Sequence, residues 1–142
     1  MELFDFISEF WRTNPSVMFL SVFLLTIGTI GKIMLFSKCN HPWWAAFIPV
    51  YDFIILLKII GRPPLHLFML LIPVFNIYFV IRVFIELTQS FGKYSIVDYI
   101  LITVFNVFYI MNLGLSYTEY YYGPVYGKRV EELKTRKEPL FA

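Results

Sequence analysis

A chain of 142 residues has room for one domain, and 58% hydrophobic residues with a mean hydropathy of +0.67 place it above the range of soluble globular proteins. That composition identifies an integral membrane protein, and 20% aromatic residues suit packing against acyl chains and anchoring at the two interfaces. A net charge of +2 without a basic face excludes a nucleic-acid binder, and one cysteine, Cys39, excludes an internal disulfide.

In residues 1–14, Leu3, Phe6, Ile7, Phe10 and Trp11 recur at helical spacing, with Glu2, Asp5, Glu9 and Arg12 on the other face. The pattern predicts an amphipathic helix lying in the interface. Its acidic start differs from the basic start of a secretory signal. Thr13-Asn14-Pro15-Ser16 opens the first span, which carries no charge until Lys32 and ends near Phe36; Gly28 and Gly31 offer a neighbouring helix a close approach. Ser37 to Pro42 is a polar connector. Cys39 and His41 there are too few for the ligand sets of structural metal sites, so the expectation is a solvated loop.

The next stretch carries the internal pattern of the chain. Ile48-Pro49-Val50-Tyr51-Asp52, followed by Lys58, recurs 24 positions later as Ile72-Pro73-Val74-Phe75-Asn76, followed by Arg82, with a weaker echo at Val104-Phe105-Asn106. Proline removes a helical amide donor, so kinks are expected at Pro49 and Pro73, freeing the carbonyls of Ala45 and Met69 inside the membrane. Gly61-Arg62-Pro63-Pro64 forces a reversal between the copies, and Arg82 and Glu86 stand one turn apart as a charge pair. Ser95 and Asp98 have the spacing of a capping box. Tyr117, Tyr120, Tyr121 and Tyr122 form an interfacial belt in the segment 117–142, which ends in a charged tail.

The predicted fold is therefore all-α: an interfacial helix over 1–14, then a membrane domain over 15–116 with four crossing helices at about 16–36, 43–61, 65–88 and 96–116. Both termini then share one side, and the tail basics favour a cytoplasmic C-terminus. A re-entrant second segment is the alternative, with the N-terminus outside.

Asp52 and Asn76 fall on the order of 13 to 17 Å from the turn at Gly61 to Pro64, and Asn106 sits midway along the fourth span. The three are expected to meet as a polar node near the midplane, because an ionised aspartate in hydrocarbon costs at least about 2.5 kcal/mol. The node reads as a packing device, or else as an ion or proton site on broken helices. His41, His66 and the serines form no catalytic set, and nothing points to an enzyme, a cofactor or a metal.

Gly31-Lys32-Ile33, Trp43 to Asp52, Lys58 to Pro63, Leu70 to Asn76 and Phe91-Gly92-Lys93 together resemble a small bacterial membrane domain of unknown function. The resemblance covers about 29–128. Such domains occur alone or, in Bacteroidota, fused ahead of type I signal peptidases, and Tyr122-Gly123-Pro124 looks like the junction to the peptidase part. The resembling domains usually have asparagine where this chain has Asp52, and the Ser and Lys dyad of the peptidase is expected to be absent. The resemblance implies a multi-pass protein of the bacterial inner membrane. Its expected partners are the lipid bilayer and a membrane-protein partner or a homo-oligomer, as an accessory scaffold of secretion or signal-peptide processing; a small carrier or channel on the two proline repeats is the alternative.

Overall fold

A computed structural model describes residues 1–140; Phe141 and Ala142, the end of the expected tail segment, lie outside the described residues. The described chain is all-helical. It runs α1 (Glu2–Thr13), α2 (Pro15–Lys38), a 3₁₀ segment (Trp43–Phe47), α3 (Pro49–Ile60), a second 3₁₀ segment (Pro64–Leu71), α4 (Pro73–Ser90), α5 (Ile96–Val104), α6 (Asn106–Leu115) and α7 (Val130–Lys134).

The repeated motif does not kink a helix; it ends one and starts another. Proline disfavours the helical region for the residue before it, and Ile48 (φ −110°, ψ 105°) and Ile72 (φ −91°, ψ 112°) are both extended. Pro49 and Pro73 then occupy the first helical position, where the missing N–H costs nothing. The expected free carbonyls are not free, because Ala45 O accepts from Ile48 N at 3.2 Å and Met69 O from Ile72 N at 3.4 Å. At the third echo the chain breaks at Phe105 without proline, after the β-branched run Ile102-Thr103-Val104, and α5 and α6 meet at a 114° bend.

Each break reverses the chain. Gly28 faces Val107, Gly31 faces Met111 and Gly114 faces Leu35, so residue numbers rise together and α2 and α6 run parallel. The approach expected of the glycines is made here: a Cβ at Gly31 would lie 2.8 Å from Met111 Cα. In the same way Phe53 meets Phe79 (ring centroids 6.3 Å apart) and Arg62 meets Glu86 (2.6 Å), so α3 and α4 run in one direction. Across the first break Trp44 stacks on Tyr51 at 5.1 Å. Seven residues of unbroken helix would separate them by about 10 Å.

The C-terminal ends of α2, α3, α4 and α6 therefore gather at one end of the molecule, where loops and tail tie them. Lys38 Nζ donates to the carbonyls of Leu113 (2.5 Å) and Ser116 (2.7 Å), and Lys93 pairs with Glu119. Val125 N and Tyr126 N donate to Ile60 O, Tyr122 N to Ser90 O, and the buried Tyr121 hydroxyl to Ile59 O at 2.6 Å. The tyrosine belt is thus divided: Tyr121 belongs to the core while Tyr117 and Tyr120 are exposed. The core sits toward this gathered end, around the fully buried Leu35, Phe36, Leu57, Ile60, Leu87 and Ile110.

The three later segments expected to cross are thus each divided, at Ile48, Ile72 and Phe105, into an outgoing and a returning limb. Among the described residues α2, at 24 residues, is the one continuous helix long and apolar enough to cross a bilayer.

Candidate functional site

The chemistry inside this bundle lies where α2 passes the tip of the first hairpin. The motif puts Asp52 in the first turn of α3, where the helix dipole favours a carboxylate, and the α2 register brings Lys32 against it. Lys32 Nζ donates to Asp52 Oδ2 at 2.5 Å. Asp52 is 7% exposed, and its Oδ1 is buried without a hydrogen-bond partner. The Lys32 side chain is about one-third exposed, and one of its three N–H donors is engaged by Asp52.

The three residues expected to form the node are not brought together. Asn106 Nδ2 makes a long bond, 3.4 Å, to Ile102 O on the far side of the third break, and Asn76 is half-buried with no side-chain hydrogen bond among the described residues. Equal depth along the expected antiparallel spans would bring the three together; in the parallel hairpins it does not, and α2 lies between the first and third tips. Lys32 was legible in one respect, as the only charge in α2 before its last turn. Its pairing with Asp52 needs the tertiary structure.

Asn106 and Lys32 do share a space. A cavity of about 350 Å³ lies between α2 and the tip of the third hairpin, lined by Gly28, Thr29, Lys32, Asn106, Val107 and Ile110 among others. Thr29 Oγ1 is already committed to Leu25 O at 2.8 Å. Ser21 Oγ is likewise committed to Val17 O, so the free donors of this wall are those of the Lys32 ammonium and the Asn106 amide.

A second polar cluster stands at the gathered end. Arg62 grips Glu86 with two bonds of 2.6 Å, the planar fork geometry that makes such pairs strong. Its guanidinium lies 4.6 Å from the ring centre of Tyr126, and His66 sits 3.4 Å away. The expected Arg82 and Glu86 contact is present at 3.4 Å, on a half-exposed Arg82, so Glu86 belongs chiefly to Arg62. Arg62 and Glu86 are 24 residues apart, the repeat length, and so occupy equivalent places in the two copies. That spacing was the available signal for the pair. Ser95 caps α5 through Val97 N at 3.3 Å, while Asp98 accepts from the Tyr109 hydroxyl at 2.8 Å across the third hairpin.

Cys39 is buried against this end, and burial pushes its thiol up, which leaves it a poor nucleophile. His41 is half-buried and held below the usual histidine range by burial and by the nearby Lys58 charge. Among the described residues no three His, Cys, Asp or Glu side chains are grouped to hold a metal ion.

With three hairpins and their tie points in place, the interval that carries them can be compared with known proteins. Residues 44–124, more than half of the chain, match the model of a family of unknown function, DUF5684. The chain belongs to the DUF5684 family. No curated protein and no solved structure matches it. The matched interval holds the three hairpins and the chain that follows them up to Pro124, including Tyr121, so DUF5684 corresponds here to the hairpin unit; α1 and α2, with Lys32, precede it. The aspartate of the central pair thus comes from the family unit and its lysine from the helix ahead of it.

Proposed function

We propose that the protein is a non-enzymatic integral membrane scaffold, held in the bilayer by α2, whose hairpin unit docks onto another membrane protein. The observation that carries this is the contrast between an internally paired interior and an apolar exterior. Lys32 with Asp52, Arg62 with Glu86 and Lys38 with helix-end carbonyls take up the buried charges, while Phe19, Phe23 and Leu25 of α2 and Val74 at the second tip are exposed. Apolar surface on that scale suits lipid or a partner within it. The secretion machinery to which resembling domains are fused is the first place to seek the partner, by analogy alone.

The parallel hairpins favour one crossing by α2 and three re-entrant units over four crossings. At about 1.5 Å per residue α3 and α6 reach about 18 and 15 Å from the gathered end, half of a hydrocarbon core of roughly 30 Å, and α4 about 27 Å but with Arg82 and Glu86 within it, whereas α2 spans about 36 Å. Basic residues then concentrate on one side: Lys38, Lys58, Arg62, Lys93 and the tail cations stand at the gathered end, and Arg12 alone at the other, beside Glu2, Asp5 and Glu9. That asymmetry puts the gathered end in the cytoplasm and α1 outside, in a bacterial inner membrane.

The test is aqueous thiol labelling of Ser8→Cys and Lys137→Cys in intact cells. The expected outcome is labelling of Ser8→Cys alone; the same accessibility at both positions, whether both labelled or both protected, restores four crossings. For the scaffold, purification in mild detergent should retain one membrane protein at fixed stoichiometry. Solute or ion flux in liposomes holding only this chain would instead establish the second reading, a small carrier or channel, which one observation favours: the Lys32 and Asp52 pair stands beside a cavity.

A further inference from the structure

We infer that the cavity between α2 and the third hairpin tip is a hydrated pocket within the bilayer that binds a small neutral molecule carrying both hydrogen-bond donors and acceptors, of the polyol or amide class. The inference rests on the membrane placement proposed above and concerns a site beyond the scaffold role.

It begins with the hydrogen bonds Lys32 does not make. Asp52 takes one ammonium donor, and no other group among the described residues takes the remaining two. Unpaired ammonium donors facing hydrocarbon are costly, and intramembrane lysines accordingly face a protein interior or water. Lys32 cannot escape to the gathered end by extending, because Asp52 holds it about 9 Å, six helical residues, below Lys38. It borders the cavity. Across that space Asn106 offers an acceptor oxygen and an amide whose single bond, at 3.4 Å, is long. Asp52 Oδ1, behind Lys32, lacks a donor as well.

The volume and charge select the occupant. At about 350 Å³ the cavity would hold about twelve waters at roughly 30 Å³ each, and it lies at the lower end of the range for small-molecule sites. The one charge in its wall is already neutralised by Asp52. A bound ion would leave net charge in a medium of low dielectric, whereas a neutral molecule completes the bonds of Lys32 and Asn106 without that cost. Water fills the resting pocket, and a small polyol or amide displaces it.

Thiol accessibility tests this in the full chain with Cys39→Ser, reconstituted in liposomes whose two faces both meet a charged methanethiosulfonate reagent. Thr29→Cys lies in the pocket, and Phe23→Cys lies on the opposite, exposed face of the same helix. Thr29→Cys should react at least about tenfold faster than Phe23→Cys, and glycerol or urea should slow Thr29→Cys alone. In the double variant Lys32→Met with Asp52→Leu, checked for helical content and monodisperse elution, the Thr29→Cys rate should fall to that of Phe23→Cys. Slow reaction at both positions means a dry pocket and overturns the inference while leaving the membrane placement intact. Fast reaction at both overturns the membrane placement and the inference with it. Unchanged Thr29→Cys labelling in the double variant, or no protection by glycerol or urea, overturns the assignment of Lys32 or of the ligand class.

Discussion

The first and second hairpins carry the same short motif 24 residues apart, and they differ in what they do with it. Both turn at an extended isoleucine followed by proline, and both return as a helix parallel to the other. In the first, the fourth motif position after the isoleucine is Asp52, buried and paired to Lys32. In the second it is Asn76, half-buried and without a side-chain bond among the described residues, beside a Val74 that is 82% exposed. The local code of the motif sets the backbone. What stands next to the tip, α2 in one copy and open surface in the other, sets the role of the side chain.

At their gathered ends the same two copies are joined, since Arg62 and Glu86 occupy equivalent positions with opposite charge. Breaking that junction should have the largest effect. Glu86→Leu leaves Arg62 charged and almost fully buried, and should cost about 3 to 5 kcal/mol in detergent unfolding, read as a fall in Tm. The exchange Arg62→Glu with Glu86→Arg should recover part of the loss. Full stability of Glu86→Leu would show that the copies are held together by apolar contacts alone.

The two tips should differ next. Asp52→Leu strands the Lys32 ammonium and should cost about 1 to 3 kcal/mol, the lower part of that range being favoured because Lys32 is partly solvated. Asn76→Leu should change stability by less than about 0.5 kcal/mol, as for surface substitutions. Equal losses at the two positions, measured by the same unfolding assay, would erase the distinction between the tips. Asp52→Asn should fall between them, since an amide keeps an acceptor for Lys32 but loses the charge.

The α2 side of the comparison is tested by Gly31→Leu, which forces α2 off the Met111 backbone and should cost about 1 to 3 kcal/mol. Because α2 carries Lys32, this variant should also loosen the first tip and leave the second unaffected, visible as faster amide exchange around Asp52 than around Asn76. The smallest effect is expected at the prolines. Pro49→Ala and Pro73→Ala keep a residue able to start a helix and should each cost about 0.4 to 1 kcal/mol, chiefly through the unfolded chain.

The sequence by itself determined the helical class, the apolar character, and breaks at Pro49 and Pro73 marked by one motif 24 residues apart, whereas the break at Phe105 falls inside the segment 96–116 expected as one helix. The first set follows from composition and from short-range rules: what proline does to a helix and how a motif recurs. The proline effect that decides the structure is the barrier to helix at Ile48 and Ile72, not the expected kink from the lost N–H. Only the tertiary structure decided the direction of the returning limbs. A break marked by proline is compatible with a kinked span or a hairpin, and the choice rests on contacts far apart in the chain: Gly31 on Met111, Lys38 on the end of α6, Tyr121 on the end of α3. The same long-range packing decided that Asp52 meets Lys32 and leaves Asn76 and Asn106 apart, because the partner of a buried charge depends on which helix crosses its tip.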